Sequence, residues 1–430
     1  MRLGRLEEKR LVRLPYIAAA VLSVPVGHLS AQTIGPEAVA RGVTIETRPR
    51  SDYEALGVRL GGFRLDGALE TGLGFSDNLV PQAERKRSGV FVEEAVQFGL
   101  NSDWTRHAVG ITASQATRQH LQHSELNWND YTVGFDGRYD IGRASSLGFR
   151  YDHIRGHLDV TDFDVEQRGA TRPLPFDTDR ARVTGTAAIN RLSLTGALEY
   201  ARVRYEEEGR LALNDGIFNR APANDHDRIL GELGLAYSFL PGRAVTLTTR
   251  LTDINYRQDA RTRENSFTWE VLGGVRYDLT GLWSVRFSAG YRHRNYEGAD
   301  LPSLSGPAFE GQVVYLPSQL TTVTLSASRT IEESIRADSV SFIRTQLRVS
   351  ADHEFRRNII LSTEVRGEHR EYQQPRETVT DLVAIIGARF LISRNLSLLA
   401  SYKRFERLHA PRGLREYDQN LFQLRLRIAL

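Results

Sequence analysis

Phe63-Arg64-Leu65-Asp66-Gly67-Ala68-Leu69-Glu70-Thr71-Gly72-Leu73-Gly74-Phe75 alternates at every residue: odd positions are almost all apolar, even positions charged or very small. Side chains of a strand point to opposite faces with period two, so one face of this segment is greasy and the other ionic. A β-sandwich core has no place for Arg64, Asp66 and Glu70. The ionic face must therefore be wet while the apolar face meets another solvent. Lipid outside and water inside is the arrangement of a transmembrane β-barrel.

The pattern repeats to Leu430. Tyr131, Val133, Phe135 and Tyr139 form one apolar row; Leu233, Leu235, Tyr237 and Phe239 form another. The opposite face carries Asp136, Arg138, Glu232, Glu270, Arg276, Asp278, Arg286, Arg292, Glu364, Arg366 and Arg389, which are expected to line the lumen together with Arg64, Asp66 and Glu70. Short clusters of Asn, Asp, Gly, Pro, Ser or Arg at 101–106, 142–145, 190–191, 241–243, 280–281, 317–319, 356–358 and 393–395 have tight-hairpin chemistry. Longer, charged stretches alternate with them, at 76–88, 119–128, 155–178, 206–227, 257–266, 293–307, 329–338, 369–379 and 404–418. Eight turns and nine loops require about eighteen strands (16–18) in an all-β, antiparallel, up-and-down barrel over residues 63–430, with turns periplasmic and loops external. Trp104, Tyr139, Phe239, Tyr277, Trp283, Tyr315 and Phe390 gather beside the short turns, where an interfacial girdle belongs.

Both ends of the chain carry signals of export. Residues 1–15 are basic, 16–26 are apolar, and Leu29-Ser30-Ala31 ends in a small residue, which is the layout of a secretory signal peptide over 1–31. Residues 32–62 do not alternate and are read as a periplasmic or lumenal segment. At the other end, Phe422, Leu424, Leu426, Ile428 and Leu430 share one face while Arg425 and Arg427 lie on the other. An apolar terminal strand of this kind resembles the signal read by the barrel-insertion machinery. The expected location is the outer membrane of a Gram-negative bacterium.

Composition excludes other classes. The chain has no cysteine, so it is no thiol enzyme, disulfide scaffold or Cys-type zinc protein. No apolar run reaches eighteen residues, which excludes transmembrane helices but not a barrel. Residues 1–31 hold five basic and two acidic residues, a surplus equal to the +3 of the whole chain. The remainder is neutral, with basic residues scattered through strands, which excludes nucleic acid as a partner. Lysine occurs only at 9, 86 and 403; the other basic residues are arginine, as commonly in loops as in strands. No HExxH, GxSxG or Walker motif is present, so no catalytic residue, metal or cofactor is assigned. Two acidic clusters, Asp159-Asp162-Asp164-Glu166 and Asp225-His226-Asp227, lack EF-hand spacing and are read as solvated loops rather than calcium sites.

Arg48-Pro49-Arg50, Asp52-Tyr53, Leu56-Gly57-Val58-Arg59, Gly61-Gly62-Phe63 and Phe75-Ser76-Asp77-Asn78-Leu79 resemble the opening of outer-membrane β-barrel proteins of the porin-2-like family. The resemblance implies a bacterial barrel without established catalytic residues, some members of which accompany exopolysaccharide or capsule functions. The expected function is a porin-like passive channel for polar solutes, or a translocation pore serving exopolysaccharide export. The alternative is a loop-plugged structural or surface-binding barrel; an enzyme is disfavoured. Expected partners are outer-membrane lipid and lipopolysaccharide, the insertion machinery, and polysaccharide or small polar solutes.

Overall fold

The computed structural model describes residues 44–430 except 49, 82, 207–220, 280, 337, 412–413 and 415. The signal peptide expected over 1–31, and residues 32–43 after it, lie outside the described residues. A three-residue strand, β1 (Val58–Leu60), precedes eighteen long ones. These are β2 (Phe63–Ser76), β3 (Gly89–Ser102), β4 (Ala108–His120), β5 (Trp128–Ile141), β6 (Ser145–Leu158) and β7 (Leu174–Ile189). Next come β8 (Leu192–Tyr205), β9 (His226–Leu240), β10 (Arg243–Tyr256), β11 (Ser266–Leu279), β12 (Trp283–Tyr296) and β13 (Leu304–Ser318). The last are β14 (Thr321–Glu333), β15 (Ser341–Arg356), β16 (Ile359–Tyr372), β17 (Glu377–Leu391), β18 (Leu396–His409) and β19 (Asp418–Ala429).

Each long strand pairs antiparallel with its sequence neighbours, and β19 pairs with β2 from Ala429↔Ala68 to Leu421↔Ser76. The sheet is thus a closed eighteen-stranded barrel without a free edge, the form in which strands can cross a bilayer. Strand geometry follows the alternation: Leu69, Leu73 and Phe75 are exposed on the outer face while Glu70, between them, is buried inside. The many exposed large apolar side chains, such as Leu198, Leu233, Phe287 and Leu424, form a continuous outer surface that only lipid solvates without penalty.

Local chemistry sets the turns. Between β9 and β10, Pro241 is followed by Gly242 at φ +74°, the pairing a type II turn needs. At the seam, the carbonyl of Leu430 accepts from the Gly57 N–H at 3.1 Å, so β1 continues the lane of β19 alongside β2. Gly57 has φ +70°, and a Cβ there would lie 2.8 Å from the Leu65 carbonyl oxygen. Of the terminal apolar row, Phe422, Leu424, Ile428 and Leu430 are exposed outward and Leu426 is half-buried. At the turn end, Trp283 stacks on Tyr315 at 4.0 Å and Phe63 meets Trp104 edge-on at 5.5 Å.

Several loops are shorter than their charge content suggests. The stretch 369–379 is a four-residue hairpin at 373–376, because Arg370 and Tyr372 belong to β16 and point inward. Likewise β14 runs on to Glu333 and β18 to His409. Lumenal charge at strand ends looks like loop charge when the sequence is read alone.

Candidate functional site

The barrel interior is neither empty nor apolar. A cross-strand row, Glu232–Arg250–Glu270–Arg292, runs over β9 to β12 as successive register partners. Arg250 sits at its hub: Nε meets Glu232 at 2.8 Å, Nη1 meets Glu270 at 2.8 Å and Nη2 meets Glu310 at 2.9 Å. Arg292 also pairs with Glu270. The row extends both ways, through Arg182–Glu199 at 3.2 Å on one side and Arg344–Glu332 at 2.6 Å on the other. Such a lattice sets each of these guanidiniums against a carboxylate inside the lumen, where an unpaired charge would be costly.

The residues singled out from sequence fall into three groups. Glu232, Glu270 and Arg292 belong to this row; Glu70 pairs with Arg427 at 2.6 Å and Arg425 at 3.4 Å, and Glu364 pairs with Arg348 at 2.5 Å. Arg389 and Arg425 line the main cavity, and Arg366 lines the smaller one beside it. The remainder sit toward the turn end. There Arg64 pairs with Asp66 at 3.0 Å, Arg138 with Asp140 at 2.9 Å, and Asp278 accepts from the Ser284 hydroxyl at 2.7 Å. Arg276 and Arg286 are register partners, and Asp136 lies against Gly110. Sequence reasoning missed Arg250, Arg182, Glu199, Arg344 and Glu332. Arg250 carried the available signal, since it is flanked by apolar Leu251 and lies on the polar parity of its strand.

The loop between β6 and β7, residues 159–173, turns inward and spans the lumen. Its short helix α1 (Phe163–Gln167) begins at Asp162, whose side chain accepts from the Asp164 N–H. Phe163 is fully buried with Phe342, Tyr372 and Val379 of the facing wall. Asp164 is the latch: it accepts from the Tyr372 hydroxyl at 2.5 Å, the Ser334 hydroxyl at 2.7 Å and the Ile335 N–H at 3.1 Å. Arg370 reaches Asp162 at 3.5 Å, and Arg407 pairs with Glu166 while donating to the Thr161 carbonyl at 3.1 Å. The expectation of a solvated acidic loop is therefore corrected, since Asp164 is only 4% exposed. What looked like solvent-facing acid is acid matched to arginines of the opposite wall. After β14 the chain also turns inward at 334–336, with Ile335 in a cluster with Val165, Phe176 and Ala221.

Burial pushes the Asp164 carboxyl up from the usual carboxylate range, and neighbouring Asp162 adds to this, against the opposing hydrogen bonds from Tyr372 and Ser334. A carboxyl raised in the docked state binds its proton more readily there than when undocked, so docking is favoured at low pH and weakens as pH rises through the raised value. Acidification should accordingly lengthen the low-conductance intervals of the reconstituted barrel. Asp164→Asn should weaken this dependence and leave the part due to Glu166, whose carboxyl burial also raises, as single-channel recording over a pH series would show.

What the loops leave is a cavity of about 160 Å³ along β16–β19 and β2–β6. Leu79, Trp128, His157 and Val160 stand at its external end, where the Trp128 and His157 rings stack at 4.6 Å. Arg118, Lys403, Arg389 and Arg425 occupy its walls with Ser401 and Gln423. Ile45, Glu46, Asp352 and Ile360 stand at the turn end. Here the segment before β1 enters the lumen: Ile45 is buried with Ile360 and Leu391, and Arg48 and Arg50 reach Glu354 at 3.4 and 3.1 Å. A second cavity of about 50 Å³ adjoins the first, lined by Asp159, Asp162, Arg366 and Lys403. Among the described residues, no group of three or more His, Asp or Glu is placed to hold a metal ion.

A family model described as "Putative beta-barrel porin 2" matches residues 50–430. A comparison with curated proteins found no match. Among solved structures, the chain is similar to a BenF-like porin from Pseudomonas fluorescens Pf-5, with TM-score 0.48 and 11% identity over 86% of this chain and 100% of that one. It is also similar to OccAB2 of Acinetobacter baumannii, with TM-score 0.47 and 11% identity over 85% and 97% of the two chains. A third is a mutant of the ferric enterobactin receptor PfeA of Pseudomonas aeruginosa, with TM-score 0.45 and 8% identity over 85% and 80%. A closed eighteen-stranded barrel with a lipid-facing exterior and an ionic lumen, matched by this model over nearly its whole length, belongs to the beta-barrel porin 2 family and is a porin-like channel of the Gram-negative outer membrane.

Proposed function

We propose that the barrel passes small polar solutes, preferentially anionic ones, along the cavity on the β16–β19 wall, and that it carries out no chemical reaction. The observation that supports this reading is that Arg118, Arg389, Lys403 and Arg425 line the cavity with Glu46, Asp159 and Asp352, while the carboxylates that pair with Arg118 (Glu93, 2.5 Å) and Arg425 (Glu70, 3.4 Å) are not among the lining residues. Cationic side chains presented to a low-dielectric passage raise the local concentration of anions and repel cations. Ion selectivity tests this directly. In a salt gradient across a planar bilayer, the barrel should show an anion-selective reversal potential, and Lys403→Glu should shift it toward cations. Cation selectivity of the unaltered chain would refute the reading.

Export of an extracellular polysaccharide is the alternative. Walls of mixed arginine and carboxylate can hydrogen-bond sugar hydroxyls, and passage of a polymer strand would require the loop over 159–173 to withdraw from the facing wall. The terminal row Phe422, Leu424, Leu426, Ile428 and Leu430 is proposed as the face engaged by the insertion machinery before β19 closes on β2.

A further inference from the structure

Toward its external end, the outer wall of β6–β10 changes character. Lower on these strands Phe149, Val183, Leu198, Leu233 and Leu251 are exposed and apolar. Above them His153, Asp179, Arg202, Asp227 and Asn255 are successive register partners across the five strands. Beside this row runs a second, Arg155–Asp177–Arg204. Charges thus alternate in sign on the face that looks away from the lumen.

Two aspartates in these rows are built alike. Asp179 accepts from the Tyr151 hydroxyl at 2.9 Å and Arg204 Nη2 at 2.8 Å, and sits 2.8 Å from His153 Nδ1. Asp227 accepts from the Tyr200 hydroxyl at 2.9 Å, Arg202 Nε at 2.9 Å and Arg257 Nη1 at 3.3 Å. The carboxylates lie beneath: both side chains are 27% exposed, against 38% for Arg202 and 45% for Arg204 and Arg257. Arg155 is taken up by Glu206, at 2.6 Å from both Nη atoms, so the guanidinium that this face displays above its aspartates is that of Arg202, Arg204 and Arg257. An aspartate engages one of the five donors on each of Arg202, Arg204 and Arg257, and Arg202 Nη2 also donates to the Tyr200 hydroxyl at 2.9 Å, leaving donors in the geometry that suits a phosphate.

We propose that the outer face of β6–β10 binds the phosphorylated head group of an outer-leaflet glycolipid through Arg202, Arg204 and Arg257, with its acyl chains against Val183, Leu198 and Leu233. A ligand that spans both zones must carry phosphate and hydrocarbon in one molecule. Free phosphate lacks the second, and the external position places the site in the leaflet that carries phosphorylated glycolipid.

Native mass spectrometry of the detergent-solubilised full chain tests the proposal, with bisphosphorylated lipid A, dephosphorylated lipid A, phosphatidylglycerol and inorganic phosphate as probes. Binding of bisphosphorylated lipid A should fall at least about tenfold in a triple Arg202→Gln, Arg204→Gln, Arg257→Gln variant, as the loss of one or more charge-assisted hydrogen bonds implies. A control with Arg329→Gln and Arg404→Gln, on the outer face of β14 and β18, should bind as the unaltered chain does. Heat-modifiable electrophoretic migration reports whether each barrel is folded; if the triple variant is not, Arg204→Gln alone decides. Equal binding by triple variant and control overturns the proposal. So does equal binding of dephosphorylated lipid A, phosphatidylglycerol or inorganic phosphate.

Discussion

Asp164→Ala is expected to raise the single-channel conductance of the reconstituted barrel severalfold and to make it insensitive to further shortening of residues 159–173. The substitution leaves the Tyr372 hydroxyl, the Ser334 hydroxyl and the Ile335 N–H without their shared acceptor. A buried donor stripped of its partner costs about 1–3 kcal/mol, so losing three weakens docking by several kcal/mol against the Phe163 burial and the Arg370–Asp162 and Arg407–Glu166 pairs that remain. Each 1.4 kcal/mol shifts the docked-to-undocked ratio about tenfold. The loop should then spend most of its time away from the facing wall, widening the lumen toward that of an unobstructed eighteen-stranded barrel. Barrel stability should change little, because the strand ladders do not depend on the latch. Unchanged conductance with intact folding would show that the loop is held by something other than Asp164.

Arg250→Ala should be the most destabilising single change in the lumen, at about 3 kcal/mol, the lower end of the range for removing one partner of a buried ion pair. The lower end applies because Glu232 and Glu270 retain Arg182 and Arg292, and Glu310 is 41% exposed. The measurement is the denaturant midpoint of the folded barrel, followed by its electrophoretic shift. Arg250→Lys should recover only part of the loss, since a single ammonium cannot face three carboxylates in the fixed directions of a guanidinium fork. Full recovery by lysine would mean that charge alone, without fork geometry, holds the row.

The barrel was legible because its causes are local. Period-two alternation of Phe63 to Phe75 and short turns such as Pro241-Gly242 each act within a few residues, and closure follows from an even number of strands with both ends on one side. The face of each lumenal residue was legible for the same reason, since parity alone decides it. Which lumenal residues meet was not. Arg250 finds Glu310 two strands beyond its own neighbours, and Asp164 finds Tyr372 across the width of the barrel. Contacts of that kind depend on register and on the path of an inward loop, neither of which leaves a periodic mark. The charged strand ends Arg370, Glu332 and Arg407 were misjudged as loop for a related reason: a wet lumen permits at a strand end the same residue types that an external loop carries.

The account depends above all on the β16–β19 wall bounding the water-filled passage through the barrel. Because the chain has no cysteine, Ser401→Cys places a single thiol on that passage and Leu424→Cys a single thiol on the lipid face. A charged, membrane-impermeant thiol reagent applied during planar-bilayer recording should step the Ser401→Cys conductance down and leave the Leu424→Cys trace unaltered. A Ser401→Cys channel that conducts without change after full modification, or that shows no discrete conductance at all, would contradict it.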